Sequence, residues 1–112
     1  MPIHRFEDLP QEHATPQYST AFGGIITGEK IEVGRLAYPP NTGAMAHQHP
    51  SEQILVVVKG RLRVRSGEDD VVIGPLEGYV VPGGELHQVT ALEEEVIVYS
   101  GKNLVGGKGH KI

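Results

Sequence analysis

Hydrophobic residues in this chain fall in short runs that alternate with polar ones, and no window carries a convincing helical period. Runs at 18–26, 31–38, 44–49, 54–59, 61–65, 71–73, 79–81, 86–90 and 96–99 read as strands. Between them lie Thr27–Lys30, a tight turn at Lys59-Gly60-Arg61 and an acidic turn at Glu93–Glu95. Fifteen glycines and eight prolines supply the breaks. About nine short strands at regular spacing predict an all-β sandwich or barrel, and pattern alone does not separate a jelly roll from another β-sandwich. Pro2, Pro10 and Pro16 mark residues 1–16 as an extended arm, with one short strand at Ile3–Phe6. The β domain spans 17–101, and 102–112 is a glycine-rich tail, expected to be mobile unless docked on a partner.

The length of 112 residues fits one domain with a modest core. There are no cysteines, so disulfides and thiolate ligands are excluded. The N-terminus lacks the apolar run of a signal peptide, and no run approaches a membrane-spanning length, so a cytoplasmic location is expected. Net charge is −4. Lys59, Arg61, Arg63 and Arg65 alternate along one strand and read as a solvated face. With that charge, no Trp and two Phe, the chain is not read as binding nucleic acid. Gly23–Lys30 echoes a phosphate loop, but Glu29 stands where the lysine should be and the flanks read as strand, so it is set aside.

The chemistry concentrates in two places. His47 and His49 share a face if the chain is extended, because side chains alternate with period 2, and an extended run from 47 to 57 adds Gln53 to that face. Glu52 falls on the other. His87 arrives from a later strand behind the turn Pro82-Gly83-Gly84. Three imidazoles and one amide oxygen make a set that can hold a divalent transition metal with open positions. No nucleophile set of the Ser/His/Asp or Cys/His kind is visible. Tyr79 and Tyr99 are the weak candidates for a catalytic hydroxyl. Arg35 reads as an outward surface residue, and His4, His13 and His110 as bystanders.

The order and spacing resemble the cupin family, in particular its small single-domain members. The family's first motif, G-x5-H-x-H-x3-4-E-x6-G, is matched here by Asn41, His47, His49, Gln53 and Gly60. Its second, G-x5-P-x-G-x2-H-x3-N, is matched by Leu76, Pro82, Gly84, His87 and Ala91. Asn41 replaces a glycine, which is mild because Asn tolerates positive φ. Leu76 replaces another, so a different turn using Pro75 and Gly78 is expected. Gln53 replaces the glutamate ligand. The resemblance implies a jelly-roll barrel (a double-stranded β-helix, RmlC-like) with the metal inside, a small-molecule ligand and a homodimer.

A His3Gln shell is neutral, so a bound dication would keep its full charge and favour anionic ligands. The resemblance therefore implies a small metalloenzyme acting on a carboxylated sugar or a keto/enol metabolite, with Mn, Fe, Ni, Co or Zn as Lewis acid in an isomerase-, tautomerase- or cyclase-like reaction. One cupin type with His-His-Gln-His ligands linearises unsaturated uronates. It carries an Asp and an Arg near its last strand that are missing from Val96–Asn103, so uronates are not the expectation. The alternatives are an iron-dependent dioxygenase and a non-catalytic binding barrel.

Overall fold

The protein is described by a computed structural model covering residues 3–111. Its strands are β1 (Glu12–His13), β2 (Phe22–Thr27), β3 (Ile31–Tyr38), β4 (Gly43–His47), β5 (Gln53–Lys59), β6 (Leu62–Ser66), β7 (Asp69–Ile73), β8 (Gly78–Val81), β9 (His87–Ala91) and β10 (Val96–Asn103). They form two antiparallel sheets, ordered β1-β2-β3-β10-β5-β8 and β4-β9-β6-β7. This is the expected all-β jelly roll, a single compact unit.

Alternation of burial builds the interior. Leu55 and Val57 from β5, Leu62 and Val64 from β6, and Val96 and Val98 from β10 are each within 1% of fully buried. Large aliphatic side chains from both sheets close an apolar core at one end of the barrel. At the other end the inward positions turn polar. Glu32, Lys102 and Gln53 stand side by side in register across β3, β10 and β5, and all three are buried.

Several boundaries differ from the sequence reading. The chain is not extended from 47 to 57: β4 ends at His47, a bend follows, and β5 begins at Gln53. Gln53 still faces inward, because it keeps the parity of Leu55 and Val57. Residues Phe6–Asp8 form a 3-10 turn rather than continuing a strand from Ile3. Leu76 does not use a different turn. It takes the left-handed conformation itself, φ 68°, as Asn41 does at φ 62°. The tight turn at 59–61 is as expected, with Gly60 at φ 81°.

The two chain ends close on each other. Thr15 N donates to His110 O at 3.1 Å, and Lys111 pairs with Glu12 at 2.7 Å. The segment set apart as a tail therefore contributes Lys102 and Asn103 to β10 and inserts His110, 1% exposed, into the interior. Its glycines allow this. A Cβ at Gly109 would collide with the Glu32 carboxylate. The basic stripe is the solvated face expected, with Lys59 on Glu95, Arg61 on Glu93, and Arg63 and Arg65 on Asp70. No helix among the described residues is long and apolar enough to cross a membrane.

Candidate metal centre

His47 ends β4, His87 begins β9, and the two are paired across those strands. His49 comes from the bend after β4. Gly84 N donates to His49 O at 2.8 Å, which ties the bend to the Pro82–Gly84 turn that aims His87 inward. The three imidazoles each offer a nitrogen, and these atoms all lie within 4.8 Å of one another.

Each ring is oriented by the backbone. Nδ1 lies against a carbonyl oxygen two residues away: Met45 O for His47 at 2.6 Å, Ser51 O for His49 at 3.0 Å, and Glu85 O for His87 at 2.9 Å. An Nδ1–H donating to each carbonyl leaves an Nε2 lone pair on every ring. The His87 Nε2 is buried with no hydrogen-bond partner. The His49 Nε2 faces Gln53 Oε1 at 3.2 Å. Neutral His49 carries a single N–H but has a carbonyl oxygen beside each nitrogen, so one acceptor pair is left without a proton. A cation shared by His49 Nε2 and Gln53 Oε1 resolves that conflict, and the chemistry of the donors fits a divalent metal.

Charge favours the same state. Burial holds both the His47 and His49 imidazoles down at about 4, with Lys102 and His87 adding repulsion. His87 is also lowered, by burial first. The rings are neutral near pH 7, as ligation requires.

Gln53 is fixed by a chain of hydrogen bonds that the sequence did not reveal. Its Nε2 donates to Ser100 Oγ at 2.8 Å, and Ser100 Oγ is 2.8 Å from His110 Nε2. His110 Nδ1 is 2.7 Å from Glu32 Oε1, and the His110 backbone N–H donates to the same oxygen. Thr27 Oγ1 donates to Glu32 Oε2 at 2.9 Å. Burial alone would raise the Glu32 carboxyl, but the bonds from His110 and Thr27 outweigh it and hold Glu32 at about 2. Burial lowers His110. An ionised Glu32 therefore accepts from neutral His110, whose Nε2 accepts the Ser100 hydroxyl proton. Ser100 oxygen then accepts from the Gln53 amide nitrogen, leaving Gln53 Oε1 turned toward His49. His110 is thus no bystander.

Other sequence candidates lie elsewhere. Tyr99 points outward, 39% exposed, with its ring 5.8 Å from Phe6. Tyr79 packs on the edge of the core and its hydroxyl donates to Asp69 at 2.6 Å. Neither lines the interior cavity beside the histidines. Glu52 is exposed, as parity requires, and so is Arg35. Two residues that do line that cavity were missed in the sequence: Lys102 was not singled out, and His110 was read as a bystander. Tyr18 was missed as well, and its ring stacks on His47 at 4.0 Å. The inward parity of Val96, Val98, Ser100 and Lys102 was the one signal that could have found Lys102.

The family model for the cupin domain matches residues 34–100, and the chain belongs to the cupin family. No curated protein matches it by sequence. Among solved structures, an RmlC-like cupin from Shewanella frigidimarina superposes with a TM-score of 0.80 at 13% identity, covering 92% of this chain and 90% of that one. KdgF from Halomonas superposes with a TM-score of 0.76 at 19% identity, over 91% and 94%. An oxalate oxidase is similar with a TM-score of 0.61 at 24% identity, over 65% of this chain and 41% of that one. At these identities the likeness is one of fold.

Proposed function

We propose that this cupin binds one divalent transition metal through His47, His49, His87 and Gln53 and uses it to act on a small anionic molecule. The observation that carries the reading is the set of converging acceptors. Three imidazoles are tied at Nδ1, His87 Nε2 is an orphan, and His49 Nε2 is set against Gln53 Oε1.

A metal bound there would polarise a carbonyl or hydroxyl oxygen and make a neighbouring proton easier to remove. The chain's own residues orient the donors, keep them neutral and restrict access. The interior cavity is about 20 Å³, room for roughly one water, so only the end of a ligand enters it. The donors carry no charge, so the metal's double charge selects an anion. An isomerase- or tautomerase-like proton transfer suits a redox-silent Lewis acid. The oxalate oxidase, which has been solved with glycolate, keeps a second reading in view: an iron-dependent dioxygenase acting on a small carboxylate. Ile54 and Val80, exposed and paired across β5 and β8, offer an apolar patch for the homodimer.

Elemental analysis of the purified protein tests the centre. About one metal per chain is expected, lost in His87→Ala, weakened in Gln53→Ala and retained in Glu52→Ala. Absence of metal after reconstitution with Mn, Fe, Ni, Co and Zn would sink the reading. Oxygen consumption with 2-hydroxy and 2-oxo acids separates oxidation from isomerisation.

A further inference from the structure

Lys102 is the one buried cation of the cavity, and the metal centre leaves it unused. It is 4% exposed and faces inward on β10 with Val98 and Ser100. Its neighbours in register are Glu32 on β3 and Gln53 on β5. Glu32 draws on its charge, but neither side chain bonds to it. Glu32 is held by His110 on one oxygen and Thr27 on the other, and the Gln53 amide is held between His49 and Ser100. Among the described residues, the Lys102 ammonium has no hydrogen bond or ion pair. It lines the cavity together with His47, Gln53 and His87, and its charge is felt by His47, His49 and His87.

A buried ammonium is costly unless an anion accompanies it. Here ionised Glu32 draws on its charge from the neighbouring strand but is bonded to His110 and Thr27, and the donor set that Lys102 faces carries no charge. We propose that Lys102 anchors the carboxylate of a small 2-hydroxy or 2-oxo acid, whose adjacent oxygen lies at the three histidines; this rests on the metal reading above. One carboxylate oxygen would take the place of the cavity's water, with the remainder of the ligand lying toward half-buried His47. A neutral sugar or alcohol would leave the ammonium unpartnered, and a bulky anion would not enter. Lys102 thereby sets specificity for the carboxylate, while the histidines and Gln53 hold the metal.

Titration calorimetry with glycolate, on zinc-loaded protein of measured metal content, tests this. Wild type is expected to bind glycolate at least about tenfold more tightly than glycolamide, which keeps the hydroxyl and loses the charge. Lys102→Met should keep its metal, weaken glycolate by at least about tenfold and erase the preference over glycolamide. Lys102→Gln, which keeps polar volume, should do the same if the Met variant does not fold. Unchanged glycolate affinity in a variant that retains metal overturns the proposal. So does a wild type that holds metal but does not bind glycolate at millimolar concentration, or loss of metal along with the lysine. A wild type that holds no metal instead overturns the proposed function.

Discussion

Glu32 and His110, 78 positions apart in the chain, meet inside the barrel with Glu32 Oε1 2.7 Å from His110 Nδ1. That contact closes the chain end over the polar end of the barrel. It also sets the direction of every hydrogen bond as far as Gln53. The amide oxygen of Gln53 faces His49 because the carboxylate of Glu32 accepts from His110, not because Gln53 has a local preference.

Breaking that chain should loosen a metal without removing a ligand. In His110→Phe, Ser100 loses its acceptor and Gln53 its fixed orientation. Metal affinity is expected to fall by about tenfold or more, as when partners behind metal ligands are removed. Competition against a chelator measures it. An affinity equal to wild type would show that Gln53 needs no support from the chain end.

Gly109→Ala attacks the same contact from the backbone. The added Cβ would collide with the Glu32 carboxylate, so either the chain end or Glu32 must move. A loss of about 1–3 kcal/mol is expected in denaturant unfolding. Hydrogen exchange at the Thr15 and His110 amides should rise in parallel, since these close the two ends together.

Stability of the metal-free protein should fall as pH drops. Glu32 is held at about 2, below its ordinary value of 4.5, so its contribution is complete above 4.5 and is lost as pH falls through about 2. His47 and His49, held near 4 against an ordinary 6.5, act in the same direction. The folded rings resist protonation while the unfolded ones accept it, so their contribution is lost between 6.5 and about 4. Chemical unfolding from pH 7 to pH 2 should show both windows, and Glu32→Gln should flatten only the lower one.

Lys102 acts in the same direction in an alkaline window. Burial lowers it to about 8 from 10.5, with Glu32 opposing. Between those values the unfolded chain binds the extra proton, so stability from this group rises with pH. Unfolding of the metal-free protein between pH 8 and pH 10 should show that gain in wild type and not in Lys102→Met.

Leu76 N donates to Val57 O at 2.8 Å, but its exposed side chain does nothing to repay the backbone strain. It sits at φ 68° and is 91% exposed. A left-handed conformation costs a branched side chain about 1–2 kcal/mol, and glycine avoids it. Leu76→Gly should therefore raise the melting temperature by a few degrees, less the entropy that glycine loses on folding. An unchanged or lower melting temperature would mean that the strain is smaller than the dihedral implies.

The strands were legible from local pattern, while the barrel and the gathering of His47, His49, Gln53 and His87 rested also on the motif spacing that resembles cupins. Alternation reports which face a strand buries, and glycine and proline report where it turns. That reading placed β3 and β5 almost to the residue, and it sent Gln53 inward even though the chain bends at 48–52 instead of running straight. It misjudged Leu76, because a turn can impose positive φ on a residue that does not favour it.

What the sequence by itself determined was therefore the class of fold and the candidate ligand set, since both follow from short-range periodicity and fixed spacing. Only the tertiary structure decided the roles of Lys102 and His110. A lysine followed by glycine-rich chain reads locally as a solvated end. It becomes interior when β10 runs on between β3 and β5, and when His110 finds, 78 residues back, the one carboxylate placed to receive it.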